Sequence, residues 1–187
     1  FVNADKAAAW GVELEGTVLL GDHWLLSGTY SWNDSEYDEF ITKDANACTL
    51  GPLAEGRSLD PLCTDDLDLE GNQFPTMPEH KVSANVTYMW SMLDLDWEAT
   101  TSYFYTGDSW GTPFNNPDYD ENESYDVWDA RLSAVTTDET WRVTAFVRNI
   151  EDDRDVVSVA RPSTVTQNPQ YTILEPRIYG VSVDYSF

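Results

Sequence analysis

Few side chains in this sequence are spaced for bond-breaking chemistry. The only histidines are His23 and His80, and a general acid–base pair needs an imidazole or carboxyl within hydrogen-bond reach of a partner. His80 beside Glu79 is the nearest approach, and His23 lies far from it along the chain, so no catalytic residue is assigned. Cys48 and Cys63 fall in one polar segment. They could close a disulfide that contributes about 3 kcal/mol in an oxidising compartment, or remain free thiols. No histidine or second cysteine pair lies near them, which argues against zinc. Asp65, Asp66, Asp68 and Glu70 are oxygen ligands in number but lack the spacing of a calcium-binding loop, so no metal site is assigned. Binding chemistry is better represented. Trp110, Phe114, Asn115, Asn116, Tyr119 and Asp120 bring aromatic faces together with amides and carboxylates, which suits stacking on a solute and bonding its hydroxyls. The same residues would suit any adhesive external loop. No cofactor-binding motif is present.

Composition narrows the partners. Acidic residues number 34 against 10 basic ones over 187 residues, a formal charge of −24. Nucleic acid is excluded as a partner on this ground, because phosphate binding needs lysine and arginine in excess. The field of such a chain also disfavours strongly anionic solutes and favours saccharides, peptides or neutral chelates. Disorder is argued against by 41% hydrophobic and 13% aromatic residues. No apolar run approaches the roughly 20 residues of a spanning helix. Phe1 to Trp10 lack the features of a secretion signal, so either it has been removed or the chain begins inside a longer protein.

The elements that would position these residues are strands. Side chains alternate apolar and polar with period two in seven segments: Trp10–Leu20, His23–Asn33, His80–Trp90, Leu93–Tyr105, Tyr125–Ala134, Trp141–Asn149 and Arg177–Phe187. Gly21-Asp22, Ser91-Met92 and Thr137 to Glu139 are short enough for tight hairpins. Residues 35–79, 106–124 and 150–176 are long polar connections. In an up-and-down meander all the tight turns then lie at one end and all the long loops at the other, as in outer-membrane barrels with short periplasmic turns and long external loops.

Alternation alone would also fit a soluble β-sandwich. Three features favour a membrane barrel. Segments of 9 to 13 residues exceed the usual strand of about 5–6, and 11 residues tilted by about 45° rise roughly 26 Å, the height of a barrel's apolar band. Aromatics gather at the two ends of the apolar face: Trp24, Tyr88, Trp90, Trp141, Tyr185 and Phe187 at the short-turn end, and Trp10, Tyr30, Trp32, Tyr103, Tyr105, Trp128 and Tyr179 toward the loops. Smaller Ala84, Ala99, Ala130, Ala145, Val86 and Val143 lie between them, whereas a sandwich core would place its bulk centrally. An odd strand number leaves unpaired edges, which lipid penalises, so further strands are expected upstream of Phe1. The polar face would then be a watery lumen carrying Glu13, Glu15, Lys81, Asp129, Arg131, Arg142 and Arg148. These either line a solute path or form a solvated wall of cross-strand charge pairs worth under about 1 kcal/mol each.

Several segments together resemble one family. Asn3 followed by Gly11-Val12-Glu13-Leu14-Glu15, then Pro78-Glu79-His80-Lys81, then Val147-Arg148-Asn149-Ile150-Glu151-Asp152, and last Glu175-Pro176-Arg177-Ile178-Tyr179-Gly180 with Asp184-Tyr185-Ser186-Phe187 are similar to successive motifs of TonB-dependent receptors. Ile150-Glu151 replaces that family's usual Leu-Phe. The resemblance spans essentially the whole chain. It implies an all-β, antiparallel transmembrane barrel of about 22 strands, of which these are the last seven. It also implies a plug domain and TonB box upstream, and a place in the outer membrane of a Gram-negative bacterium. The implied function is uptake of a scarce siderophore, vitamin or saccharide with TonB-supplied energy, a passive diffusion porin being the rival. The implied partners are the TonB complex, the small solute, outer-membrane lipid and lipopolysaccharide, and the barrel-assembly machinery, which would read Tyr185 and Phe187.

Overall fold

In the computed structural model, residues 4–44, 65–117, 120–160 and 170–187 are described. In chain order the strands are β1 (Lys6–Leu20), β2 (Trp24–Glu39), β3 (Ile41–Thr42), β4 (Leu67–Asp68), β5 (His80–Met92), β6 (Leu95–Thr106), β7 (Ser109–Trp110), β8 (Glu121–Asn122), β9 (Tyr125–Thr136), β10 (Trp141–Arg148), β11 (Val156–Ala160), β12 (Gln170–Ile173) and β13 (Ile178–Tyr185). No helix occurs among the described residues. Seven strands form one antiparallel sheet in the order β1-β2-β5-β6-β9-β10-β13, and β3–β4, β7–β8 and β11–β12 are separate two-stranded pairs. Sequential neighbours pair throughout the large sheet, which is open: its first and last strands do not meet.

The expected segments all become strands of the large sheet, with shifted limits. β1 begins at Lys6 rather than Trp10, and β2 runs on to Glu39 rather than stopping at Asn33. The second tight turn is Leu93-Asp94, not Ser91-Met92. Both turn residues adopt left-handed φ, 59° and 57°, and Met92 pairs with Leu95 across them. A two-residue turn of this hand matches the twist of the flanking strands. No Asn-Gly or Asp-Gly signal marks it, so sequence placed it two residues early. The three short pairs inside the long connections have no period-two run long enough to announce them.

Register carries the alternation unbroken across the sheet. Val18 pairs with Leu26, Leu26 with Val86, and Val86 with Thr101, after which Thr101 meets Ala130, Ala130 meets Val147, and Val147 meets Tyr179. One face is therefore apolar from edge to edge, and it is bare: Leu14 is 61% exposed, Val86 40% and Val183 60%. The only buried hydrophobic residues among those described are Phe40 and Leu69, which lie outside the large sheet in the loop layer. A soluble sandwich would put Leu14, Val86 and Val183 in its core, so that reading fails. Thirteen residues of β5, tilted by about 45°, rise roughly 30 Å, enough to cross a hydrocarbon layer.

Aromatic rings line the ends of the apolar face. Near the short turns Trp24 lies 4.6 Å from Tyr88, Tyr88 is stacked 5.4 Å from Trp90, and Trp90 is stacked 5.9 Å from Trp97. Trp141, Tyr185 and Phe187 continue the band at 4.7 and 5.4 Å. Toward the loops Tyr103 meets Trp128 at 4.6 Å, and the Tyr30 hydroxyl bonds His80 Nδ1 at 3.0 Å.

Candidate functional site

The opposite face of the sheet is polar and its side chains bond across strands. Thr29 meets Ser83 at 2.8 Å, Ser102 donates to Asn85 at 2.6 Å, Thr87 meets Thr100 at 2.9 Å, and Ser133 meets Thr144 at 3.0 Å. Such pairs are available because register sets small hydroxyl residues opposite one another. Arg131 reaches Glu98 at 2.8 Å, and both side chains remain solvated, so the pair contributes about 0–1 kcal/mol.

The expected wall residues divide into three groups. Asp129, Arg131 and Arg148 come together in an open recess of about 340 Å³, with Asn85, Ser102 and Phe146 beside them. Arg142, cross-strand to Asp184, lines a second recess of about 470 Å³ at the short-turn end with His23, Asp96 and Glu139. It makes no ion pair among the described residues. Glu13 and Glu15 stand exposed on the edge strand β1, and Lys81 lies two strands away on β5, in the row of Glu13 through Ser31.

Above the sheet, the long connections are stitched into one layer. Asn72 donates to the Pro113 carbonyl at 2.9 Å, Trp110 Nε1 to Gln73 at 3.0 Å, and the Thr76 N–H to the Trp110 carbonyl at 2.7 Å. With its amide turned to match donors and acceptors, Asn115 also bonds the Gln73 backbone. The third connection joins through Asn122, whose oxygen accepts from the Val159 N–H at 2.9 Å. Beneath lies a small apolar cluster, with Tyr37 centred 5.0 Å from Phe40 and 4.9 Å from Phe74. Of the loop ligand candidates, Trp110, Phe114, Asn115 and Asn116 are half-buried in this layer. Asp120 is fully enclosed. Its carboxylate accepts from the Thr112 hydroxyl at 2.7 Å and the Asn116 N–H at 3.2 Å, which organises the turn. Tyr119, Cys48 and Cys63 lie outside the described residues.

Two motif segments meet at the rim where β10 passes to β13. Asn149 is buried with φ at 49°. Its amide donates to the Asp153 and Glu175 carbonyls, both at 2.8 Å, and its oxygen accepts from the Asp153 N–H at 3.1 Å. The Asn149 N–H donates to Asp129 at 2.9 Å. Arg177 donates its N–H to Asp152 at 2.8 Å and its guanidinium to the Ile150 carbonyl at 3.2 Å. The Arg177 N–H, with Arg154 beside it, holds the Asp152 carboxyl below its ordinary value against partial desolvation. Both segments stand out in the sequence as motifs, but no local pattern shows that they lock together. The tendency of asparagine to adopt left-handed φ and cap its own turn was the available signal. The Tyr37, Phe40 and Phe74 cluster was missed too, its aromatics standing in segments read only as loop.

The likeness to known proteins follows this geometry. The family model described as TonB dependent receptor-like, beta-barrel matches residues 1–150. Among solved structures, the ferric yersiniabactin uptake receptor FyuA from Yersinia pestis is similar with a TM-score of 0.71 and 16% identity, over 97% of this chain and 24% of that one. BauA, the ferric preacinetobactin receptor from Acinetobacter baumannii, gives 0.66 and 15%, over 97% and 22%. The siderophore receptor PiuA from Acinetobacter baumannii gives 0.60 and 21%, over 95% and 21%. At these identities the likeness is one of fold, and the chain spans about a quarter or less of each structure's length. No curated protein sequence matches. On the family match and the seven-stranded sheet, this chain belongs to the TonB-dependent receptor β-barrel family.

Proposed function

We propose that this chain forms the C-terminal wall of an outer-membrane receptor that captures a scarce solute and imports it with energy supplied through the TonB complex. The solute would be a siderophore, a vitamin or a saccharide. The observation that carries the reading is the two-faced sheet: an uncovered apolar surface bounded by aromatic bands, backed by a polar face that would line a lumen. The three structures of similar fold are named as a ferric yersiniabactin uptake receptor, a siderophore receptor and a ferric preacinetobactin receptor, which supports import as the class of activity. A plug and TonB box would be contributed by a segment upstream of this chain. The aromatic band would meet outer-membrane lipid and lipopolysaccharide, and Tyr185 with the fully exposed Phe187 would be presented to the barrel-assembly machinery. The stitched loop layer carrying Trp110, Phe114, Asn115 and Asn116 would be the external capture surface.

The test is growth of a strain deleted for the full-length gene, on single iron chelates, cobalamin and oligosaccharides, with and without a functional TonB. Receptor-dependent growth on one source that disappears without TonB is expected. Receptor-dependent growth that persists without TonB would make the barrel a passive pore and overturn the proposal.

A further inference from the structure

The recess on the polar face is built from side chains that each spend one atom on anchoring and leave a complementary atom open. Asn85 accepts from Ser102 through its oxygen at 2.6 Å, and its NH2 group has no partner among the described residues. Asp129 accepts the Asn149 N–H through one oxygen at 2.9 Å, and its other oxygen accepts nothing among the described residues. The Arg148 guanidinium carbon lies over the Phe146 ring, 5.6 Å from its centre. That ring is itself seated on the chain: a Cβ at Gly180, its cross-strand partner, would lie only 2.8 Å from it. Among the described residues the Arg148 donors reach no acceptor, and the neighbouring carboxylate of Asp129 is turned by one oxygen toward the Asn149 N–H.

Register sets these groups in one line. Asn85 pairs with Ser102 and Ser102 with Asp129, while Arg148 on β10 is one step past the Val147–Ala130 pair and so stands beside Asp129. Three inter-strand steps make a row roughly 14 Å long. Its open atoms alternate donor, acceptor and donor, and its charges nearly cancel: Arg148 stands beside Asp129, and the nearby Arg131 is paired with Glu98. A phosphate or polycarboxylate needs a surplus of cationic donors. A sugar hydroxyl both donates and accepts, so adjacent hydroxyls match a row of mixed donors and acceptors. The length accommodates more than one sugar ring, and the recess of about 340 Å³ falls within the usual span of small-molecule sites.

We infer that Asn85, Asp129 and Arg148 form a subsite for a neutral, hydroxyl-rich solute, an uncharged oligosaccharide, along the wall of the lumen. The inference rests on the uptake reading above and names its substrate class. Asn85 and Arg148 donate to ring or exocyclic hydroxyl oxygens and Asp129 accepts from a neighbouring hydroxyl. The anchors remove the reordering cost that a mobile arginine would bring to binding.

The full-length receptor, purified in detergent, is presented to neutral oligomers of glucose, galactose, mannose and xylose and to oligogalacturonate. At least one neutral oligomer binds saturably, and oligogalacturonate does not bind better. N85A and R148Q each weaken that binding about 10-fold or more, and R148K keeps part of it. Heat-modifiable electrophoretic mobility confirms that each variant is folded. The inference is overturned if no neutral oligomer binds, if oligogalacturonate is preferred, or if N85A and R148Q both bind as the unsubstituted receptor does. TonB-dependent growth on an iron chelate without saccharide binding would sink the inference and leave the uptake reading standing. TonB-independent uptake of a bound saccharide would do the reverse.

Discussion

Replacing Asn149 by alanine tests whether the rim between β10 and β13 is held by one side chain. The substitution removes three side-chain hydrogen bonds, two donated at 2.8 Å to the Asp153 and Glu175 carbonyls and one accepted at 3.1 Å from the Asp153 N–H. At about 1 kcal/mol each they sum to about 3 kcal/mol. Alanine must also occupy a φ of 49°, which costs about 1–2 kcal/mol for a residue with a Cβ and no local side-chain bond. The expected loss is thus about 4–5 kcal/mol, confined to this corner because the barrel ladder does not pass through it. Amide hydrogen exchange on the full-length receptor in detergent, followed on peptides covering 149–155 and 174–177, reads the loss directly. Exchange there should accelerate by about three to four orders of magnitude, at roughly 1.4 kcal/mol per factor of ten, while peptides from the middle of β5 and β6 stay unchanged. Asn149→Gly separates the two contributions, since glycine relieves the backbone but restores no bond, and it should remain clearly faster than the parent. Exchange in N149A within about threefold of the parent would refute the reasoning, and a parental rate in N149G would show that only the left-handed backbone matters.

Two further outcomes follow from the same structure. Val86, mid-strand on the apolar face, should accept lysine only at a cost of about 2–4 kcal/mol in a bilayer, whereas Ser83→Lys on the polar face should cost under about 1 kcal/mol; urea unfolding of the full-length receptor in liposomes compares the two, and equal costs would contradict the assignment of faces. Asp152 has its folded-state pKa lowered beneath the ordinary 3.8, first by the Arg177 N–H. A depressed carboxyl contributes stability that is fully present above the unfolded value and is lost as pH falls through the folded one. Loop cleavage by pepsin at 150–176, taken relative to an unstructured reference peptide at each pH, should therefore increase as pH drops below about 3.8, and in D152N the relative rate should already be raised at about pH 4.5 and lose that dependence.

The large sheet was legible because register and burial obey one rule in it. When one face must be apolar and the other polar, a slip of one residue would exchange every side chain, so period-two alternation fixes which residues face together. Val86 and Asn85 needed no more than their parity. The turn at Leu93-Asp94 was misplaced because its left-handed residues are not the glycine or asparagine that normally declare such a turn. The loop layer was not legible for a different reason: its order comes from contacts between distant segments, such as Asn72 with Pro113 or Asn122 with Val159, and no local period encodes these. The candidate wall residues were recognisable by facing. Which of them share a recess depended on the lateral order of strands and on where each carboxylate is already engaged, as Asp129 is by Asn149.

The acidity of the chain and the architecture of its loop layer have a common physical origin. A sheet whose apolar face is covered by hydrocarbon needs no interior of its own, and among the described residues only Phe40 and Leu69 are buried hydrophobics. Connections standing above such a sheet cannot be secured by a large core. They are secured instead by short polar side chains that bond main-chain groups: Asp120 to the Asn116 N–H, Asn122 to the Val159 N–H, Asn149 to Asp153 and Glu175, and Asp152 to the Arg177 N–H. Main-chain N–H groups are the donors most in need of partners in irregular segments, and carboxylates and amides are the acceptors suited to them. Aspartate and asparagine therefore suit segments that must be ordered without a large apolar core. The polar face of the sheet holds few cations, so its arginines, Arg131 against Glu98, Arg142 cross-strand to Asp184 and Arg148 over Phe146, are the positions at which a change of charge would alter the wall most.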